Sequence, residues 1–222
     1  EPPARFAQER LLMTRLFALW LLLLPLAGMA QEWTLARNDK TRDIRVYVRA
    51  LPGSDYQAFY AVTRVSAPSE SVLAVLSDVP AMPEWVVRMV GVRLLRRNGS
   101  KEMWLHAHYR LPYPFLDREA VLHSRLERDA RSGQLTIVTR SVQGMLPSSR
   151  NKRVRLTDML STWKITPERD GRTRIELWGQ GEPGGYVPPV LFNYNLPDEP
   201  LQTFRNLRQM LTREKYRGRP AA

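Results

Sequence analysis

The strongest constraint on this chain is a run of alternating apolar and polar residues. It continues through turn after turn from Val90 to Gly181 and is followed by a single amphipathic stripe. Period-two segments occupy residues 90–97, 102–111, 118–129, 134–142, 153–166 and 172–181. Short breaks separate most of them, such as Asn98-Gly99-Ser100 and Arg131-Ser132-Gly133. Such a pattern predicts half-buried strands, and short turns make sequential strands antiparallel neighbours. Residues 197–215 then change period, with Leu201, Phe204, Leu207, Met210 and Leu211 on one helical stripe. Asp198 is the expected cap and Pro200 suits the first turn. An antiparallel sheet has one face to bury, and the helix offers one stripe to cover it. The expected class is therefore α+β.

Upstream, residues 43–50 and 58–66 read as two further strands around a turn at residues 51–55. Residues 68–78 read as a helix, with Ser69 the expected N-cap, and residues 80–89 as a short helix around Trp85. In residues 103–111, Met103, Leu105, Ala107, Tyr109 and Leu111 share the inner face, and Trp104, His106, His108 and Arg110 the outer. The next strand sends Ala120, Leu122, Ser124 and Leu126 inward, and Glu119, Val121, His123, Arg125 and Glu127 outward.

The N-terminus carries a targeting pattern. Met13-Thr14-Arg15 is a positive start, residues 16–26 (LFALWLLLLPL) are apolar, and Ala27-Gly28-Met29-Ala30 supplies small residues for cleavage. An apolar core of this length spans about 16 Å, roughly half a bilayer's hydrocarbon, so a signal peptide is expected rather than an anchor. The expected division is residues 1–30 as upstream sequence plus cleaved signal, and residues 31–222 as one domain with a short basic tail. Lys plus Arg number 34 against 22 Asp plus Glu, a net charge of +12. That favours an anionic partner. With export expected, the partner is an anionic membrane surface rather than nucleic acid. The chain has no cysteine, so disulfides and thiol chemistry are excluded. A bacterial periplasm is the expected compartment.

Several motifs resemble the START lipid-transfer family, the domain related to steroidogenic acute regulatory protein. Residues 111–119 (LPYPFLDRE) resemble its proline-aromatic corner followed by Arg-Asp. Residues 182–188 (EPGGYVP) resemble its Asp-Pro-Gly-Gly turn. Asp78, Trp85, Asn193 and the helix from Leu201 to Leu211 stand where the family has an Asp, a Trp, an Asn and a lid helix. The resemblance implies a helix-grip (START/Bet v 1-like) fold, a curved antiparallel sheet wrapped around the C-terminal helix with an internal apolar cavity. It implies non-enzymatic binding and transfer of one lipid or other hydrophobic molecule, by a monomer needing no cofactor. Implied lining residues are Trp85, Met89, Leu105, Tyr109, Leu122, Ser124, Leu177, Phe192, Leu207 and Met210. Val190, Leu191 and Phe192 are expected to face the cavity or pack under the lid helix. The loop carrying Met145 and Leu146, followed by Arg150, Lys152 and Arg153, is the expected gate and membrane contact. Ser124 fills the slot where sterol carriers place a charge, which argues against a sterol, and Glu119 replaces the family's Asp.

Two other readings stand beside this one: an aromatase/cyclase-like enzyme on the same scaffold, and a ligand-free interaction domain of the cell envelope. No Gly-x-Ser-x-Gly or phosphate-binding glycine loop occurs. If Leu111 pairs with Arg118, then His106 faces His123, and the three histidines His106, His108 and His123 share the outer face. An outer sheet face offers no cleft, so no metal role is assigned.

Overall fold

The computed structural model describes residues 32–147 and 153–218. These residues form ten strands: β1 (Thr34–Asp39), β2 (Ile44–Ala50), β3 (Gln57–Val65), β4 (Met89–Asn98), β5 (Glu102–Tyr109), β6 (Asp117–Arg128), β7 (Leu135–Ser141), β8 (Arg153–Arg155), β9 (Met159–Pro167) and β10 (Thr173–Gly181). Among the described residues four α-helices accompany them: α1 (Ser69–Ser77), α2 (Met82–Trp85), α3 (Pro189–Asn195) and α4 (Asp198–Leu211). The sheet order is β1-β2-β3-β10-β9-β7-β6-β5-β4, antiparallel throughout, while the short β8 runs parallel to the start of β6. This is the expected α+β architecture. β1 and α3 were not foreseen, and the single strand expected over residues 153–166 is two, each with its own partners.

The alternation fixes which face is dry. Ile165, Ile175, Leu135 and Ala107 from four strands are fully buried, as are Phe204 and Leu207 from α4. α4 packs on α1, α2, β2 and β3. Charge holds its first residue and its middle: Arg37 donates to Asp198 Oδ1 at 2.7 Å, and Arg205 Nε to Asp39 Oδ2 at 2.9 Å. Tyr216 beyond the helix donates to Asp78 Oδ2 at 2.8 Å, and Lys215 pairs with the same carboxylate. The family-like Asp78 therefore fastens the chain end to the α1 corner.

Neither expected cap acts as one. Pro68 holds the N-cap position of α1, and Ser69 is already inside the helix. Before α4, Leu196 and Pro197 are both helical in backbone, so no extended residue is available to turn its side chain onto the first amides. The Asp198 carboxylate serves the ion pair with Arg37 instead.

Candidate ligand cavity

A cavity of about 420 Å³ lies between the inner sheet face and the helices. Eight of the ten expected residues line it: Trp85, Met89, Leu105, Tyr109, Leu122, Ser124, Leu177 and Phe192. Leu207 and Met210 do not. They are buried in the core, while the first turns of α4 supply Glu199, Pro200 and Thr203 to the wall. Leu207 stands about 6 Å further along the helix than Thr203, beyond the cavity's end. Additional wall residues are Trp163, Phe115, Leu156 and Leu191. Trp163 was legible, because it alternates with Ser161 and Ile165 on the inner face of β9. Phe115 lies in the proline corner, where no periodicity assigns a direction.

Several polar groups stand in a mainly apolar wall. Ser124 Oγ and Thr139 Oγ1 are 2.6 Å apart and satisfy one another. Arg88, in a left-handed conformation (φ +63°) between α2 and β4, donates to Glu199. Glu199 is one of the residues that line the cavity. Burial raises its carboxyl above the usual carboxylate range, against the pull of Arg88. Tyr109 is pushed upward by burial and then by the Glu199 charge, so its phenol stays protonated and can donate.

Two neighbouring segments form one rim of the cavity. Residues 111–116 contribute Leu111, Pro112 and Phe115 to the wall, and residues 182–196 contribute Pro183, Val187, Leu191 and Phe192. Arg118 joins them. Its Nε donates to Pro183 O at 2.8 Å, its Nη2 to Gly184 O at 2.7 Å and its Nη1 to Leu116 O. Gly184 and Gly185 hold φ of +61° and +58°, and a Cβ on Gly184 would stand 3.0 Å from Val154 Cγ1. Two successive left-handed residues, one against a side chain of β8, require glycine. The chain then leaves along Pro188 into α3. Asn193 fixes that helix, accepting from Gln57 N at 3.0 Å and donating to Asp55 O at 2.9 Å. Tyr56 donates to Val187 O at 2.9 Å. Leu191 and Phe192 face the cavity as expected, but Val190 is 83% exposed.

Of the loop after β7, Met145, Leu146 and Pro147 are among the described residues. Met145 and Leu146 are not part of the cavity wall. Arg155 Nη2 donates to Pro147 O at 2.9 Å and to Glu119 Oε1 at 2.8 Å, which ties the loop to the outer face of β6. Met145 is partly exposed and Arg153 half-buried, and Arg150 and Lys152 lie outside the described residues. The histidine register is also different. β5 pairs Tyr109 with Arg118, so Val121 and not His123 faces His106. His123 instead stacks on Trp104, ring centroids 4.4 Å apart. Burial, then the nearby Arg153 and His106, lowers the His108 imidazole below its ordinary value.

The model of the START domain matches residues 20–216. The chain belongs to the START domain family. An uncharacterized protein of Pseudomonas aeruginosa is 27% identical over 181 residues, which are 82% of this chain and 87% of that protein. The crystal structure of a STAR-related lipid transfer protein from Xanthomonas axonopodis is 28% identical, covers 82% of this chain and 99% of that one, and superposes with a TM-score of 0.74. Human StAR-related lipid transfer protein 5 shares the fold at 15% identity, with a TM-score of 0.70 and 93% of each chain covered. This START domain thus adopts the family's ten-stranded sheet and long C-terminal helix, and its homology points to binding of a lipid or other hydrophobic ligand. The two signature motifs meet in space, since Arg118 of the first clamps the glycine turn of the second.

Proposed function

We propose that this START domain is an exported, monomeric, non-enzymatic carrier that holds one hydrophobic molecule and exchanges it at anionic membranes of the bacterial periplasm. The observation that carries this reading is the cavity. At about 420 Å³ it has the size that encloses a ligand of a few hundred daltons, and its wall is apolar apart from a few placed polar groups. Burial of apolar ligand surface would drive binding at about 25 cal/mol per Å². Tyr109 and the Arg88–Glu199 pair are among the groups able to recognise a polar head.

The rim is the proposed membrane contact. The segments that line the cavity with Phe115 and Leu191 turn Tyr113, 96% exposed, together with Leu116, Tyr186 and Val190, toward solvent. Tyrosines and aliphatic side chains beside an opening suit the headgroup boundary, and the +12 charge favours anionic lipid. Met145 and Leu146, with Arg150, Lys152 and Arg153, are a second candidate contact. Among the described residues no helix is long and apolar enough to cross a membrane.

The test is native mass spectrometry of the chain from residue 31, with solvent extraction of its cargo. A stoichiometric adduct of lipid mass is expected. A folded protein that stays apo after incubation with total membrane lipid overturns the carrier reading.

A further inference from the structure

The geometry points to a Zn²⁺ site on the outer sheet face, with His106 Nε2, His108 Nε2 and Glu119 Oε2 as ligands. The two imidazole nitrogens are 3.3 Å apart, and His106 Nε2 lies 3.2 Å from Glu119 Oε2. In a tetrahedral complex with Zn–N and Zn–O bonds of 2.0–2.1 Å, the edge between two ligand atoms is about 3.3 Å. Two of the three edges therefore already have the bite of a bound ion. All three donor atoms lie within 4.8 Å of one another, so a small rotation of the Glu119 or His108 side chain closes the third edge.

The placement follows from the register. His106 and His108 alternate on one face of β5, and Glu119 is the cross-strand partner of His108 on β6. The imidazole planes cross at 88°, so two nitrogens can aim at one point without stacking. Two imidazoles and one carboxylate form a borderline donor set of the kind Zn²⁺ takes, and a fourth position is left for solvent. The site is not the open surface that the alternation implies. Glu119 is 1% exposed and Val121 fully buried, while His106 and His108 remain accessible enough to admit an ion.

The surrounding shell both supports and limits the site. Arg155 donates to Glu119 Oε1 through Nε at 3.1 Å and Nη2 at 2.8 Å, while Oε2 lies within reach of His106 Nε2. A ligating carboxylate oriented by an outer hydrogen bond is the usual construction of a metal centre. Arg93 lies across the ladder from His106, and Arg153 lies close to His108. Those cations weaken the hold on a divalent ion, so micromolar rather than nanomolar affinity is expected. An ion here would bear on the β7–β8 loop through Glu119, Arg155 and Pro147 O, on the face opposite the cavity. The inference does not depend on the carrier reading.

Isothermal titration of the tag-free, chelator-treated chain with Zn²⁺ tests it. One saturable site per chain is expected, with the d–d bands of a tetrahedral complex when Co²⁺ replaces Zn²⁺. H106A and H108A should each lower the affinity at least ~10-fold. H123A, on the same sheet face but stacked on Trp104, should leave it unchanged. Absence of saturable binding, binding that survives both substitutions, or equal loss in H123A would each overturn the site. If the histidine variants do not fold, the Co²⁺ spectrum of the unaltered chain decides: octahedral bands alone overturn it.

Discussion

Arg118→Met is the most informative single change, because one guanidinium joins both rim segments. Arg118 is 3% exposed and donates to three backbone carbonyls, and among the described residues no carboxylate is bonded to it. Burial lowers its pKa, against the opposing pull of the nearby Asp117 charge. Of its acceptors, Pro183 is buried, whereas Leu116 and Gly184 are more open and can take water once the donor is gone. The orphaned Pro183 carbonyl costs about 1–3 kcal/mol, and each lost charge-assisted bond at the open sites less than its usual 1.5–3. Relief from desolvating the cation offsets part of this. The net loss is about 2–4 kcal/mol. At a urea slope of about 2 kcal/mol/M, the unfolding midpoint falls by about 1–2 M. Arg118→Lys keeps the charge but cannot fork, and should fall between wild type and Met. Equilibrium urea unfolding followed by tryptophan fluorescence measures all three. A midpoint for Arg118→Met within about 0.3 M of wild type would refute the reasoning. The turn would then be held by its own glycines and the packing of Val154.

Four other outcomes follow from the same geometry. Gly184→Ala should cost about 1–2 kcal/mol, since φ is +61° and the new Cβ meets Val154; a neutral result in the same assay would mean the turn can flip. Leu122→Asp puts a carboxylate into the cavity wall and should abolish uptake of a fluorescent fatty-acyl probe while leaving vesicle adsorption intact; unchanged uptake would remove the cavity from the account. Tyr113→Ser with Val190→Ser should weaken binding to phosphatidylglycerol vesicles about 10-fold in a flotation assay without altering unfolding, and an unaltered partition would clear the rim of membrane contact. Burial pushes the Asp78 carboxyl upward, but hydrogen bonds from Lys215 and Tyr216 outweigh it and hold the group below its ordinary value. The stability it contributes is therefore present above the unfolded pKa of about 3.9 and is lost as pH falls through the lower folded value. Wild type should lose more stability than Asp78→Asn between about pH 5 and pH 3 on that basis, and parallel acid limbs in thermal unfolding would show that the pair is inert.

What the sequence made legible was governed by faces. Leu105, Tyr109, Leu122 and Ser124 were assigned inward by alternation alone, and all four reach the cavity. Helical spacing placed Leu207 and Met210 on the buried stripe of α4 but could not say how far along the helix the cavity extends. Tertiary bonds decided the rest. Val190, Leu191 and Phe192 read as one apolar run, yet Asn193 pins α3 so that the first points to solvent while the other two reach the cavity wall, Leu191 remaining 44% exposed. Asp198 has the composition of a cap, but Leu196 and Pro197 continue the helical backbone into it.

The histidines show where face logic stops. β5 ends at Tyr109 rather than Leu111, because Arg110 N donates to Arg88 O and Leu111 N to Asp117 Oδ1, outside the β5–β6 ladder. That moves the register by two residues. A one-residue slip would have turned every side chain over and exposed Leu105 and Leu122, and the apolar pattern forbids it. A two-residue slip leaves every side chain on its own face, so the pattern is blind to it. The inner wall therefore survives the error unchanged, while each outer partnership is rewritten. His123 moves from His106 to Trp104, and Glu119 arrives opposite His108. A site built across strands is only as predictable as the loop that sets the register, and here that loop is the proline-aromatic corner gripped by Arg118.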